Sequence, residues 1–129
     1  MTVQDDAEEP DRGYWEAFFG PGDGRMAWRS APLTRGGPSY WHAAARIRRD
    51  AKRGGIAEAR LALKDAAGVP RRLAAIEDGL VAGIINDADE VLDAVRDLVE
   101  CADDADGSAA AKSYLAGWIC ADVVGRCLA

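Results

Sequence analysis

The spacing of apolar residues along the chain predicts a succession of helices. Apolar side chains recur three and four positions apart over most of the sequence after residue 39, which is typical of helices that bury one face. Ser39 and Ser108 precede two of these segments as plausible N-caps, and a Gly-Gly pair at 54–55 separates two of them. The pattern therefore predicts an all-α fold, a compact bundle of about five helices. The helices are expected over residues 40–53, 56–67, 70–84, 87–101 and 109–129.

Two of these segments have the plainest patterns. In the fourth, the apolar face consists of Val91, Val95, Leu98 and Val99. The opposite, acidic face consists of Asp89, Glu90, Asp93, Asp97 and Glu100. The last segment is apolar around its whole circumference, which is typical of a helix at the centre of a bundle or in a dimer interface. We therefore expect a homodimer through the C-terminal helix.

The first 38 residues differ from the rest. Residues 1–12 are acidic and contain too few apolar side chains to offset the conformational entropy lost on ordering. We therefore expect a disordered tail. Residues 13–38 form an irregular, aromatic and glycine-rich arm, in which one helical turn gathers Trp15, Phe18 and Phe19. The expected organisation is thus this tail, then a single helical domain over 13–129, with the arm leading into a bundle at 39–129.

Composition is ordinary for a globular chain. The protein has 129 residues, of which 49% are hydrophobic and 29% are charged, and this length suits one domain. No window has the roughly 18 uncharged apolar residues of a membrane helix, and the acidic N-terminus lacks a signal-peptide pattern. The cysteines, Cys101, Cys120 and Cys127, are odd in number and lack a Cys-x-x-Cys pair. We expect reduced thiols and a cytoplasmic location.

Charge is strongly segregated along the chain. Residues 1–23 carry a net charge of −6, residues 24–72 carry +9, and residues 73–129 carry −9, giving the total of −6. The basic block has twelve Lys or Arg against three acids. Such a block suggests either a surface for an anionic partner or an arginine-rich surface that pairs with the protein's own carboxylates.

Within the basic block, residues 46–79 resemble the helix-turn-helix of lambda-repressor-like regulators. The resemblance rests on Ile47–Arg48, Gly55–Ile56, Leu61–Ala62, Ala67–Gly68–Val69 and Ile76–Glu77–Asp78–Gly79. It implies that Arg71 and Arg72 begin a recognition helix in the DNA major groove, while basic residues on its flank neutralise phosphates. The predicted nucleic-acid-binding residues are Arg46, Arg49, Lys52, Arg53, Arg71 and Arg72. The leading hypothesis is a non-enzymatic, nucleic-acid-associated regulator.

The alternative hypothesis is a protein-neutralising module, such as an antitoxin, immunity protein or anti-defence inhibitor. It would act through the acidic helix face at Asp89, Asp93, Asp97 and Glu100, together with the aromatic arm at Trp15, Phe18 and Phe19. Ordinary roles remain open for both features: a solvated helix face for the acids, and coverage of the protein's own core for the aromatic residues.

No catalytic or metal-binding set emerges from the sequence. His42 is the only histidine, no Gly-x-Ser-x-Gly motif is present, and the cysteines lack zinc-ligand spacing. The acidic helix has no Glu-x-x-His partner helix. We therefore expect neither an enzyme nor a bound metal or cofactor.

Overall fold

The computed structural model describes residues 9–66 and 68–129 as four helices and a four-stranded sheet. The helices are α1 (Arg12–Phe19), α2 (Ala74–Ala82), α3 (Ala88–Leu98) and α4 (Ala109–Leu128). The strands are β1 (Arg25–Pro32), β2 (Ser39–Arg49), β3 (Ile56–Asp65) and β4 (Arg71–Arg72). The fold is α+β, and the predicted all-α bundle is wrong.

The sheet is antiparallel with the strand order β1-β2-β3-β4, so each strand pairs with its neighbour in sequence. Strand β2 lies inside the sheet and is buried from Trp41 to Ile47. Successive side chains of a strand point to opposite faces. Ala43, Ala45 and Ile47 accordingly belong to the main core, whereas Ala44 belongs to a second, smaller core.

The prediction of a helix over residues 40–53 failed because alanine is ambiguous. Alanine favours helices in isolation, but tertiary packing overrides that preference. Here the alanines of β2 are fully buried because other elements press on both faces of the sheet. An apparent stripe at helical spacing was in fact a strand whose two faces are both apolar.

Strand β3 carries a clearer signal, which the helical interpretation overlooked. Ala59, Leu61 and Leu63 are buried on one face, and the other face carries partly exposed Arg60, buried Ala62 and partly exposed Lys64. This period of two is the pattern of a strand. The turn before β3 is closed by Asp50, whose side chain accepts the amides of residues 52 and 53.

Two helices cover one face of the sheet, and a third packs on them. Helix α4 packs on β1 and β2, α2 packs on β3, and α3 packs on α4. Gly117 permits the close approach of α3 to α4, since a Cβ there would lie 2.8 Å from the carbonyl oxygen of Leu92. The apolar circumference of α4 is thus explained by contacts within the chain, and the homodimer stays a prediction.

Helix α1 lies on the opposite face of the sheet. Asp11 caps it by accepting the amide of Tyr14 at 3.0 Å. Trp15 is only 1% exposed and packs against Ala44 and Ala62, with half-buried Phe18 and Phe19 around it. The small side chains of the two alanines leave room for the indole, and this contact anchors α1 to the sheet.

Several local predictions are confirmed. The aromatic turn is helical, the acidic segment forms α3, and Ser108 caps α4 by accepting the amide of Ala111 at 3.0 Å. The third expected helix is shorter, since residues 71–72 form β4 and the helix begins at Ala74. The predicted tail at 1–12 falls mainly on residues 1–8, which lie outside the described residues. Across the part of the chain that is described, no helix is both long and apolar enough to span a membrane.

Candidate binding surface

Four arginines lie on the side of the sheet that carries α1. The strand register places Arg46 opposite Arg60, and Arg72 opposite Ala62, while Arg48 lies two residues beyond Arg46 on the same face. We call Arg46, Arg48, Arg60 and Arg72 the arginine face. Four residues of the basic block thus share one surface of the sheet, whereas Arg29 and Arg49 bond to the C-terminal helix α4 on the other side.

Two carboxylates lie beside this face, and each binds one of its arginines. Glu58 pairs with Arg60 at 3.0 Å. Glu77 of α2 accepts hydrogen bonds from Arg72, the shortest at 2.6 Å from Nη2. The hydrogen bond that Arg72 donates to Glu77 is the largest cause that raises the pKa of Arg72. Arg48 is exposed and has no ion pair within the described residues.

Arg46 differs from the other three because it is buried. Its side chain lies beneath α1, and its guanidinium carbon lies 5.6 Å from the centre of the Phe19 ring. Nη1 donates to the carbonyl oxygen of Gly20 at 2.8 Å. Nε is buried without a hydrogen-bond partner, and among the described side chains it is the one such atom. Arg46 is 6% exposed and makes no ion pair with any described carboxylate.

Of the other predicted nucleic-acid-binding residues, only Arg72 shares a face of the sheet with Arg46. Arg49 donates through Nη2 to the carbonyl oxygen of Leu128 at 2.9 Å, at the end of α4. Lys52 and Arg53 are exposed in the turn between β2 and β3. Arg71 and Arg72 form the short strand β4 and do not begin a helix. Sequence reasoning identified basic residues but not the face on which they lie, because that face is defined by strand register.

The predicted acidic residues remain together. Asp89, Asp93, Asp97 and Glu100 are exposed on or just after α3 and make no ion pair with described residues. The predicted aromatic residues lie elsewhere: Trp15 is buried beneath α1, and Phe18 and Phe19 are half-buried. Since α1 and α3 lie on opposite sides of the sheet, the acidic and aromatic residues do not form a common surface.

A second polar site was missed by the sequence analysis. His42 is 6% exposed, and its Nδ1 lies 2.6 Å from the Ser30 hydroxyl oxygen across the β1–β2 pair. The ring borders a cleft of about 660 Å³ that is also lined by Tyr14, Ser39 and Lys64. Burial, followed by the charge of Lys64, lowers the pKa of His42 from its usual 6.5. Ser30 lies within the arm at 13–38 that was expected to be irregular, but residues 25–32 of that arm form strand β1, and strand pairing brings Ser30 to His42.

The groups around this cleft lack the third member of a hydrolytic triad. A serine–histidine pair requires a carboxylate that orients the imidazole, and no hydrogen bond joins His42 to a carboxylate in residues 9–66 and 68–129. The same residues contain no group of three or more His, Cys, Asp or Glu that is able to hold a metal ion.

The thiols are poorly suited to nucleophilic chemistry. Burial raises the pKa of Cys120 to about 12 and that of Cys127 to about 11. Burial also raises the pKa of the half-buried Cys101 thiol. A thiol reacts as its thiolate, so these side chains are protonated and weakly reactive at neutral pH.

No protein-family model matches the chain, and no curated protein matches it. Solved structures of carbon monoxide dehydrogenases do share its fold. One is a Cu,Mo-containing enzyme in its cyanide-inactivated form, with 19% identity and a TM-score of 0.62 over 79% of this chain. The enzyme from Hydrogenophaga pseudoflava, lacking the Mo-pyranopterin moiety, has 24% identity and a TM-score of 0.63 over 80%. The reconstituted enzyme from Oligotropha carboxidovorans has 18% identity and a TM-score of 0.62 over 79%.

In each case the match covers 36% of the carbon monoxide dehydrogenase chain, so this protein corresponds to little more than a third of that length. Identities below a quarter show a shared fold and no more.

These findings overturn the resemblance to lambda-repressor-like regulators and both functions inferred from the sequence. The described residues between 46 and 79 form β3, β4, the end of β2 and the start of α2, so the predicted helix-turn-helix is absent from them. The DNA-binding regulator is therefore wrong. The alternative of an antitoxin, immunity protein or anti-defence inhibitor is wrong as well, since the fold is that of carbon monoxide dehydrogenase chains.

Proposed function

We propose that this protein is a non-catalytic docking domain of a redox enzyme whose fold is shared with carbon monoxide dehydrogenase, and that its arginine face binds an acidic surface of a partner polypeptide. The observation that carries the proposal is the arginine face itself. Near its four arginines lie two carboxylates, Glu58 and Glu77, and each already binds one arginine. The face therefore keeps an excess of positive charge.

The shared fold supports the class of partner. It occupies about a third of each matched carbon monoxide dehydrogenase chain, so in those proteins it is accompanied by further polypeptide. A docking role in such an assembly requires a surface, and electrostatic complementarity gives such surfaces specificity and rapid association. The three cysteines are free, and the pKa values of the two buried ones, Cys120 and Cys127, are raised. Free thiols are consistent with a cytoplasmic location, which forms part of the proposal.

The electrostatic part is tested with a fluorescent peptide of about twenty glutamates, by anisotropy at several salt concentrations. Arg48→Glu with Arg60→Glu reverses the charge of the exposed Arg48 and of the partly exposed Arg60, and we expect at least about a tenfold loss of affinity. The matched control is Arg35→Glu with Arg53→Glu, which changes net charge equally at exposed loop positions. Equal loss in both double variants, or tighter binding of a nucleic-acid duplex, would overturn the proposed face.

The redox part is tested with a photo-crosslinking amino acid at position 48 of the full chain in the source cells. Adducts with a polypeptide that carries a redox cofactor support the proposal. Adducts formed only with proteins that lack such a cofactor contradict it. The same crosslinker at position 35 identifies contacts that do not depend on the arginine face.

A further inference from the structure

Arg46 is a buried cation without a counter-ion among the described residues. Buried charges in proteins are ordinarily paired, because moving an ionised group from water into the protein interior costs free energy that only an opposite charge and hydrogen bonds offset. Arg46 is instead opposed by Arg60, a like charge on the neighbouring strand, whose own partner is Glu58. Like charges directly opposite each other on a sheet are destabilising. This arrangement calls for an anion that the chain itself does not supply.

The guanidinium borders a shallow cleft of about 400 Å³ at the end of α1. The cleft is lined by Glu16, Ala17, Gly20, Pro21, Gly22 and Arg46. Nη1 is occupied by the carbonyl oxygen of Gly20, and Nε is sealed from solvent, so Nη2 is the nitrogen left for a ligand. Gly22 gives Nη2 its space, since a Cβ at that position would lie 2.4 Å from it.

We propose that this cleft binds a single oxyanion group, a carboxylate or a phosphate, with Nη2 of Arg46 as its principal donor. A guanidinium binds both groups through charge-assisted hydrogen bonds. Arg60 and Arg48 add positive potential on the same face. Glu16, the acid in the cleft, pairs with Arg12 at 3.0 Å and makes no ion pair with Arg46. The site needs no protein partner and thus goes beyond the proposed function.

The test is calorimetric titration of the full chain with inorganic phosphate and, separately, with acetate, at constant ionic strength against sodium chloride. We expect saturable binding of one equivalent of at least one of the two anions. Preference for phosphate assigns a phosphoryl group, and preference for acetate assigns a carboxylate. Heats no larger than those with chloride, for both anions, would overturn the proposal.

Two variants test the cleft by different means. Arg46→Met replaces the unpaired charge by an apolar side chain of similar length, a change that is often tolerated or stabilising at buried charges. Gly22→Ala keeps the charge but places a Cβ in the space of Nη2, so the guanidinium of Arg46 must shift from its present position. We expect each to weaken anion affinity by roughly tenfold or more, since a hydrogen bond to a charged group is lost. Gly22→Ala keeps the test decisive if Arg46→Met fails to fold.

Two control variants separate a site from a diffuse basic surface. Arg35→Gln removes an exposed charge outside the arginine face, and we expect an affinity within about twofold of wild type. Glu16→Gln removes the negative charge of the cleft, and we expect stronger anion binding. If Arg35→Gln weakens binding as much as Arg46→Met does, the anion is held by general surface charge and the proposed site is wrong. Failure of polyglutamate binding with intact phosphate binding would reject the docking function alone.

Discussion

The carboxylate of Glu77 accepts the backbone amide of Leu61 at 2.8 Å, at the edge of the sheet where β4 has already ended. A side chain of α2 thereby replaces the backbone carbonyl of a missing strand residue. Beside this contact, the backbone amide of Leu73 donates a hydrogen bond to the carbonyl oxygen of Leu61 at 2.8 Å. The contact satisfies a buried strand edge, which would otherwise carry an unpaired donor.

Removal of the Glu77 carboxylate is expected to destabilise the protein. Glu77 is 3% exposed, and Glu77→Ala leaves the Leu61 amide without a partner and frees Arg72. A buried donor left unsatisfied costs about 1–3 kcal/mol, so we expect a loss of roughly 2 kcal/mol in the free energy of unfolding. Urea denaturation measures this loss. Asp78→Ala, at an exposed position of the same helix, is the control and should change stability by less than about 0.5 kcal/mol.

Truncation of Trp15 is expected to release α1 from the sheet. The indole fills the space above Ala44 and Ala62, and Trp→Ala substitutions in cores cost about 3–5 kcal/mol. We expect Trp15→Ala to lower the midpoint of urea unfolding and to expose residues 12–20 to proteolysis. Tyr14→Ala removes a partly exposed ring of the same helix and should have a much smaller effect on both measurements. Equal protease sensitivity of the two variants would show that the indole does not anchor α1.

The ion pair between Lys112 and Asp104 predicts a dependence of stability on pH. Nζ of Lys112 lies 2.6 Å from Oδ1 of Asp104, and this hydrogen bond is the largest cause that lowers the pKa of Asp104 from 3.8 and raises that of Lys112 from 10.5. A carboxylate with a depressed pKa stabilises the fold fully above its unfolded pKa, and the contribution disappears as pH falls through its folded pKa. The raised pKa of Lys112 acts in the opposite sense, with its contribution lost in strong alkali.

We therefore expect Asp104→Asn to have a lower free energy of unfolding than wild type at pH 7. This difference should vanish as the pH falls below the folded-state pKa of Asp104. Chemical denaturation from pH 7 down to about pH 2 measures the difference. Asp106→Asn, in the same loop, serves as the matched variant because its side chain makes no ion pair with described residues. A difference between wild type and Asp104→Asn that persists unchanged at the lowest pH contradicts the assigned ion pair.

The three cysteines are expected to react with thiol reagents in a fixed order. Cys101 is half-buried, whereas Cys120 and Cys127 are buried with pKa values raised to about 12 and about 11. At pH 8 we expect slow modification of Cys101 in the native protein, and modification of the other two only as fast as the protein unfolds. Mass spectrometry of time points identifies the labelled residue. Rapid labelling of Cys120 before unfolding would contradict its burial in the core.

Local sequence signals predicted helices where one face of a segment is apolar and the other is not. Helix α3 is such a case, because Val91 and Val95 alternate with exposed acids at helical spacing. Helix α4 was also predicted, with Ser108 as its cap. Strand β2 was missed because its run of alanines fits both periodicities, and strand β3 was missed although Arg60 and Lys64 alternate with Leu61 and Leu63.

The candidate sites were predictable only in part. The excess of basic residues over 24–72 is visible in the sequence, but the arginine face is not, because opposition of Arg46 to Arg60 depends on strand register. The pairing of His42 with Ser30 depends on the same register. Long-range pairing of this kind brings together residues more than ten positions apart, and no local pattern contains it.

The sequence by itself determined the charge segregation, the amphipathic helix α3, the capped helix α4 and the aromatic turn of α1, since each follows from neighbouring residues. The tertiary structure alone decided that residues 39–65 form a hairpin, that Trp15 lies on two alanines, and that Arg46 is buried without a counter-ion. The physical reason is that alanine contributes little preference of its own in this context. Which structure it adopts is decided by the bulky side chains that pack on both faces of the segment.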